Sequence, residues 1–319
     1  MTVSRRALIK GAGIAAAQIP LASIALSSSQ AATPRSPSNP RISEWEYVQS
    51  ESIQSDWSQQ FQGMCTDGQY WYAVSNSART RRIYKLSLDL THTYASLEAP
   101  DSFAHVGSPT IDRTSNRIYI PIENDGAEPT YIWQLSKGLS TLGKLSMWGR
   151  TSGSRSPQKW KNSWLGHNPV DGLLYSSAYG YTTDTDPALQ VKVINGFSPV
   201  TGCLKKQVQL PSLLHHVQSG TFSPNGNLYL ATDYSYNGSK RLYSYDFSAV
   251  EDGDTAPYWG NIAIPDSGKG DELEVESVQL GHLSWSDSPD SYISAGVLNI
   301  EAEDDIYFRH FWVPSPSAL

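Results

Sequence analysis

The chain has 319 residues, of which 17% are charged and 11% aromatic, and its formal net charge is −7. Two cysteines in so long a chain exclude a disulfide framework, and no Cys/His spacing suited to zinc is present. The acidic balance argues against nucleic acid as a partner, because phosphate binding draws most of its affinity from a basic surface.

Taken from the start, Ser4-Arg5-Arg6-Ala7-Leu8-Ile9-Lys10 leads into an apolar stretch from Gly11 to Leu26 that Gly13, Gln18 and Pro20 interrupt. The stretch falls short of the about 20 apolar residues that a spanning helix needs. Paired arginines ahead of a mildly apolar, Ala- and Gly-rich segment resemble a twin-arginine export signal, and Ser29-Gln30-Ala31 supplies a small-x-small cleavage site. Residues 1–31 are therefore expected to be a signal peptide, with an uncleaved membrane anchor as the alternative. The implied partner is the twin-arginine export machinery, and the implied location is periplasmic, cell-surface or secreted, with no membrane span after processing. Loss of Arg5, Arg6 and Lys10 makes the remainder more acidic still. Residues 32–41, with Pro34, Pro37 and Pro40, read as a flexible linker, and the folded domain is expected over 42–319. Such substrates fold in a reducing cytoplasm before export, so Cys65 and Cys203 are expected to stay unpaired.

Beyond the linker, short apolar runs alternate with polar residues, as in Tyr70-Trp71-Tyr72-Ala73-Val74, Arg117-Ile118-Tyr119-Ile120 and Asn227-Leu228-Tyr229-Leu230-Ala231. A period of two, rich in aromatic and β-branched residues and punctuated by Asp-Gly and Asn-Gly, predicts strands and hairpins, hence an all-β domain. Five segments carry a glycine, then a turn, then a β-rich strand: Gly63 to Gly68, Gly107 to Asp112, Gly166 to Gly172, Gly220 to Gly226 and Gly281 to Asp287. A repeat of roughly 45–60 residues with several strands per unit predicts a β-propeller of five four-stranded blades, with a β-sandwich as the alternative. The last repeat runs out near Val313, while Ile42 to Val48 precedes the first. Pairing of 42–48 with the strand around Ile306 to Val313 is expected to seal the ring and cover two sheet edges.

In a propeller the innermost strand of each blade lines a central channel. His105, His167, His216 (or its neighbour His215) and His282 fall on or beside the predicted inner strands, as do Gln62, Gln218 and Glu276. If the imidazoles converge, His105, His167, His216 and His282 with one carboxylate suit a divalent metal; otherwise these polar groups hold water and brace neighbouring blades. Leu165-Gly166-His167 and Leu280-Gly281-His282 repeat one tripeptide, which predicts that the two histidines share a depth in the channel. Trp57, Trp71, Trp148, Trp160, Trp164, Trp259 and Trp285 offer flat rings that could cover sugar faces. Trp160 and Trp164, read with the polar loop 149–162, are the first candidates for such a surface. Tyr72, Tyr84, Tyr119, Tyr229 and Tyr243 are expected to pack between blades.

Phe61-Gln62-Gly63-Met64 and the rest of the first repeat are similar to the opening blade of the plant-type glutaminyl-peptide cyclotransferases, which are five-bladed. That family's Glu-Gly pair on the second blade is Val106-Gly107 here, preceded by His105, and Leu273-Glu274-Val275-Glu276 stands where a later acidic segment would fall. The architecture also resembles that of some secreted glycosidases, whose acids sit on different inner strands. No Glu lies between Glu128 and Glu251, which disfavours a glutamic-acid pair drawn from blades three and four. No Gly-x-Ser-x-Gly elbow or phosphate-binding loop occurs. Together these features point to a secreted propeller that binds a glycan or other small extracellular ligand at the channel mouth. The alternative is an enzyme, a metal-assisted lyase or hydrolase or a cyclotransferase-like protein, that uses the channel His and Glu residues.

Overall fold

Alternating patterning becomes twenty strands in the computed structural model, which describes residues 46–53, 55–77, 81–100, 105–123, 130–157, 162–181, 190–234, 240–265, 273–281, 291–299 and 306–312. The first four-stranded unit is β2 (Phe61–Thr66), β3 (Trp71–Ser75), β4 (Arg82–Leu86) and β5 (Thr93–Glu98), antiparallel and paired in that order. The second starts on a broken inner strand, β6 (His105–Val106) and β7 (Thr110–Asp112), followed by β8 (Arg117–Glu123), β9 (Tyr131–Ser136) and β10 (Thr141–Ser146). The third comprises β11 (Gly166–His167), β12 (Leu174–Ser176), β13 (Val191–Phe197) and the first part of β14 (Leu204–Phe222). β14 then pairs with β15 (Asn227–Tyr234) to open the fourth unit, which β16 (Arg241–Asp246) and β17 (Tyr258–Ala263) complete. One strand therefore forms the outer edge of one unit and the inner edge of the next.

The fifth unit is β18 (Leu273–Leu280), β19 (Ser291–Asn299), β20 (Ile306–Trp312) and β1 (Glu46–Ile53), so the most N-terminal described strand supplies its outer edge. Its register runs from Glu46 opposite Trp312 to Ile53 opposite Ile306, a few residues later than the 42–48 read from sequence; residues 42–45 and Val313 lie outside the described residues. Removing 46–53 is expected to destabilise the fold by on the order of 5 kcal/mol, at about 1 kcal/mol net per lost hydrogen bond, with the edge of β20 exposed as well. Denaturant melts of the deletion would test this, and an unchanged midpoint would contradict the pairing.

Burial follows strand position. β3 is buried along its whole length, whereas β5 and β10 expose alternate residues. Sheets stacked face to face around an axis produce this gradient, because only the outermost strand meets water. Five apolar clusters fill the seams between neighbouring units. The first–second seam holds Tyr72, Val74, Ile120 and Trp133, and the second–third seam holds Tyr119, Met147, Leu165 and Phe197. The third–fourth seam holds Trp164, Tyr175, Val217 and Phe247, and the fourth–fifth seam holds Tyr229, Val278, Ile293 and Phe311. Between the fifth and first units lie Trp57, Phe61, Trp71, Leu298 and Phe308, where Phe61 meets Trp57 and Phe308 edge-on at 6.1 and 6.2 Å. This arrangement is a β-propeller. Tyr84 and Tyr243, also expected between blades, are partly buried against these clusters. Both cysteines are free, Cys65 on β2 and Cys203 just ahead of β14. Among the described residues no helix is long and apolar enough to cross a membrane.

Candidate functional site

The last residues of the five inner strands, Thr66, Asp112, His167, Phe222 and Leu280, line one cavity, so all five strands run the same way. The channel between them therefore has a leading mouth, where inner strands begin, and a trailing mouth, where they finish. Between the mouths small side chains of neighbouring and opposite blades meet. Ser108 of the second blade and Ser219 of the fourth, which are not neighbours, share a hydrogen bond of 2.9 Å across the axis, and Val278 N–H donates to Ser219 Oγ at 3.1 Å. Ser163 Oγ donates to Val217 O at 2.7 Å. Blades one and two approach with glycine: a Cβ on Gly63 would lie 2.3 Å from Ser108 Oγ, and one on Gly107 would lie 2.3 Å from Ser163 O. Small side chains permit this waist, and each polar group in it has a partner, as burial requires.

At the leading mouth three inner strands carry the same irregularity. The register of β2 against β3 skips Gln62, that of β14 against β15 skips Gln218, and that of β18 against β19 skips Glu276. A β-bulge at each position frees one residue from cross-strand pairing and re-aims its side chain. Three residues singled out in the sequence thus occupy one structural position in blades one, four and five. Gln62 and Glu276 are buried there, and Gln218 is partly so.

The second strands add acids to this mouth. Asp233, on β15, accepts from Gln218 Nε2 at 3.0 Å and from Val275 N, which ties the fourth blade to the fifth. Glu123, on β8, is buried with Oε2 3.5 Å from Nδ1 of the half-exposed His105. Burial is the main cause that pushes the Asp233 carboxyl up to about 7, with the charge of Glu274 adding to it against the two hydrogen bonds. Burial also holds Glu276 well above the usual carboxylate range, helped by Asp233, Glu274 and, from across the channel, Glu123. Carboxyls of blades two, four and five therefore sense one another. Blade three contributes an aromatic wall. Tyr179 stacks on His216 with centroids 5.0 Å apart, and Tyr181 meets both rings at 4.8 and 5.8 Å. His216 has a left-handed backbone, φ +52°, and its N–H donates to Gly180 O, so the turn of β14 itself aims this imidazole at the tyrosines. Burial and then the charges of Asp233, Glu274 and Glu276 raise the Tyr179 hydroxyl, which sets that ring beside the acids.

The histidines do not form one cluster. Ser108 bridges to Trp164 in a parallel sense, which places His105 three residues before this contact and His167 three residues after it. At about 3.3 Å per residue the two lie roughly 20 Å apart along the strand direction, on opposite sides of the waist. The repeat glycines Gly107 and Gly166 are thus at different depths. His105 and His216 belong to the leading mouth; His167, its Nε2 3.9 Å from Asp112 Oδ1, belongs to the trailing one. His282 lies outside the described residues, and among the described residues no three His, Cys, Asp or Glu side chains are arranged to hold a metal.

Trp164 is likewise corrected. It is fully buried in the third–fourth seam, where Nε1 donates to Ser177 Oγ at 3.0 Å, so it is core and not a binding surface. Trp57 and Trp71 are buried too, Trp148 and Trp259 are partly buried, and Trp160 and Trp285 lie outside the described residues. Sequence reasoning missed Glu123 and Asp233. Both are acids at or next to the end of a largely apolar second strand, Arg117–Glu123 and Asn227–Tyr234, and that position is the signal that could have found them.

No family model matches the chain, and no curated protein matches its sequence. Among solved structures it is similar to a gluconolactonase of Xanthomonas campestris, at 12% identity and TM-score 0.45 over 80% of this chain and 72% of that one. It is also similar to the hydrazine synthase of Kuenenia stuttgartiensis, at 10% identity and TM-score 0.43 over 81% and 67%. A third likeness is to the WD40 β-propeller domain of Doa1, at 12% identity and TM-score 0.32 over 53% and 47%.

Proposed function

We propose that the protein is an exported β-propeller that binds a small, uncharged, hydroxyl-rich ligand, a glycan or a fragment of one, at the leading mouth. The observation that carries this reading is the shared bulge at Gln62, Gln218 and Glu276, which turns two amides and one acid out of strand pairing at one depth. Amides and a protonated carboxyl both donate and accept, which suits hydroxyl groups. Tyr179, Tyr181 and His216 supply flat rings of the kind that cover a sugar face. The twin-arginine signal over residues 1–31 supports action outside the cytoplasm.

A second reading has a specific observation in its favour. A buried carboxyl held well above its ordinary range, as Glu276 is, can serve as a general acid. Asp233 is less free for that role, because both its oxygens already accept hydrogen bonds.

Calorimetric titration with neutral mono- and oligosaccharides tests the first reading. Expected is saturable binding that Tyr179→Ala weakens tenfold or more and that fades as pH rises and Glu276 loses its proton. Glu276→Gln, which cannot ionise, should keep the affinity and remove that pH dependence. Absence of binding by every sugar at acid pH would overturn the glycan reading. Retained binding with turnover abolished in Glu276→Gln would replace it with the second.

A further inference from the structure

The trailing mouth is a cavity of about 690 Å³, within the range of small-molecule sites. Its walls are apolar, from Met64, Leu88, Ile111, Phe222 and Leu280. Its charges are Asp112 and Arg113, one of each sign, and each has a partner: Thr114 N–H donates to Asp112 Oδ1 at 2.8 Å, and Arg113 Nη2 donates to Thr66 O at 3.2 Å. Thr66, Thr110 and Gln279, also in the lining, have hydrogen-bond partners of their own, and His167 stands among them. Its side chain is only 10% exposed, and among the described residues its imidazole makes no hydrogen bond, since Asp112 Oδ1 at 3.9 Å is out of reach. Burial holds this imidazole below its usual range, despite the pull of Asp112, so it is neutral at pH 7. Its unused donor and acceptor open onto the cavity, where a ligand oxygen can take the place of water.

We propose that the trailing mouth is a second binding site, distinct from the leading one, for a small uncharged molecule with an apolar body and one hydroxyl or carbonyl oxygen, which His167 holds by that oxygen. An alkylphenol has this chemistry. A cation would meet Arg113 and an anion would meet Asp112, and neither charge would find a free counterpart. The waist at Ser108 and Ser219 lies between this cavity and Glu276 and its neighbours.

Titration of the purified protein with 4-butylphenol, 4-butylbenzoate and 4-butylbenzylamine tests the assignment. The phenol is expected to bind saturably and at least tenfold more tightly than either charged analogue. Leu88→Trp, a change at a partly buried wall residue, should weaken it tenfold or more by filling the cavity. His167→Phe should abolish the preference for 4-butylphenol over butylbenzene, a discrimination that a merely structural histidine would not affect. Glu276→Gln, at the opposite mouth, should leave phenol binding unchanged. No saturable binding, equal binding of the charged analogues, or binding indifferent to Leu88→Trp would each sink the proposal, so the test stands even if His167→Phe fails to fold.

Discussion

Gly107→Ala is expected to destabilise the protein by about 3 kcal/mol or more, the upper range for overpacking a core. The added methyl would lie 2.3 Å from Ser163 O and 2.7 Å from its carbonyl carbon, and both are backbone. That carbonyl cannot retreat freely, because it accepts from Ser108 N–H at 2.8 Å and so joins blades two and three. Gly68→Ala is the matched control. Gly68 has φ +87° and nothing within 4 Å of the added methyl, so only backbone strain of about 1 kcal/mol is expected there. Denaturant melts of the two variants decide the matter: equal effects would mean that the waist is not packed as described.

Asp233→Asn is expected to stabilise the protein at neutral and alkaline pH, an unusual direction for a buried polar residue. The aspartate titrates at about 7 when folded and near 4 when unfolded, so the folded state binds its proton more tightly. Below pH 4 both states are protonated and no penalty exists. As pH rises from 4 through 7 the folded state must ionise a desolvated carboxyl, and above 7 the penalty is complete. For a partly buried group its size is on the order of 3 kcal/mol. Asparagine removes the ionisation and keeps the geometry, with its oxygen accepting from Val275 N while the Gln218 amide turns to present its own oxygen. The variant should match the parent at pH 4 and exceed it at pH 8. A loss of stability that is the same at both pH values would show that Asp233 acts only as a hydrogen-bonded brace.

The strands were legible because their alternation is local. Trp71 to Val74, Arg117 to Ile120 and Asn227 to Ala231 all lie in second strands, where aromatic and β-branched side chains fill seams on both faces. Depth in the channel was not legible, because it depends on how one blade slides against the next. Gly107 and Gly166 look equivalent in sequence, yet Ser108 sits beside Trp164, so the third blade's glycine lies three residues deeper. Trp164 was misread for a related reason. Its neighbours Asn162 and Ser163 are polar, but both are buried with their hydrogen bonds made internally, so polarity there did not signal exposure. Gln62, Gln218 and Glu276 were found because they fall on or beside predicted inner strands, whereas Asp233 and Glu123 reach the site only through cross-strand register.

The pairing of β1 with β20 sets a schedule for synthesis. About 250 residues separate the two strands, so at roughly 5–20 residues per second a ribosome makes β1 about 10–50 s before its partner exists. For that interval β1 has no native neighbour, and the four units between can assemble while the fifth still lacks its outer strand. The seam that joins the fifth unit to the first is thus the last to be sewn. A nascent chain stalled before Ile306 would present β1 as a free strand, open to capture by a chaperone or by the β20 of another copy.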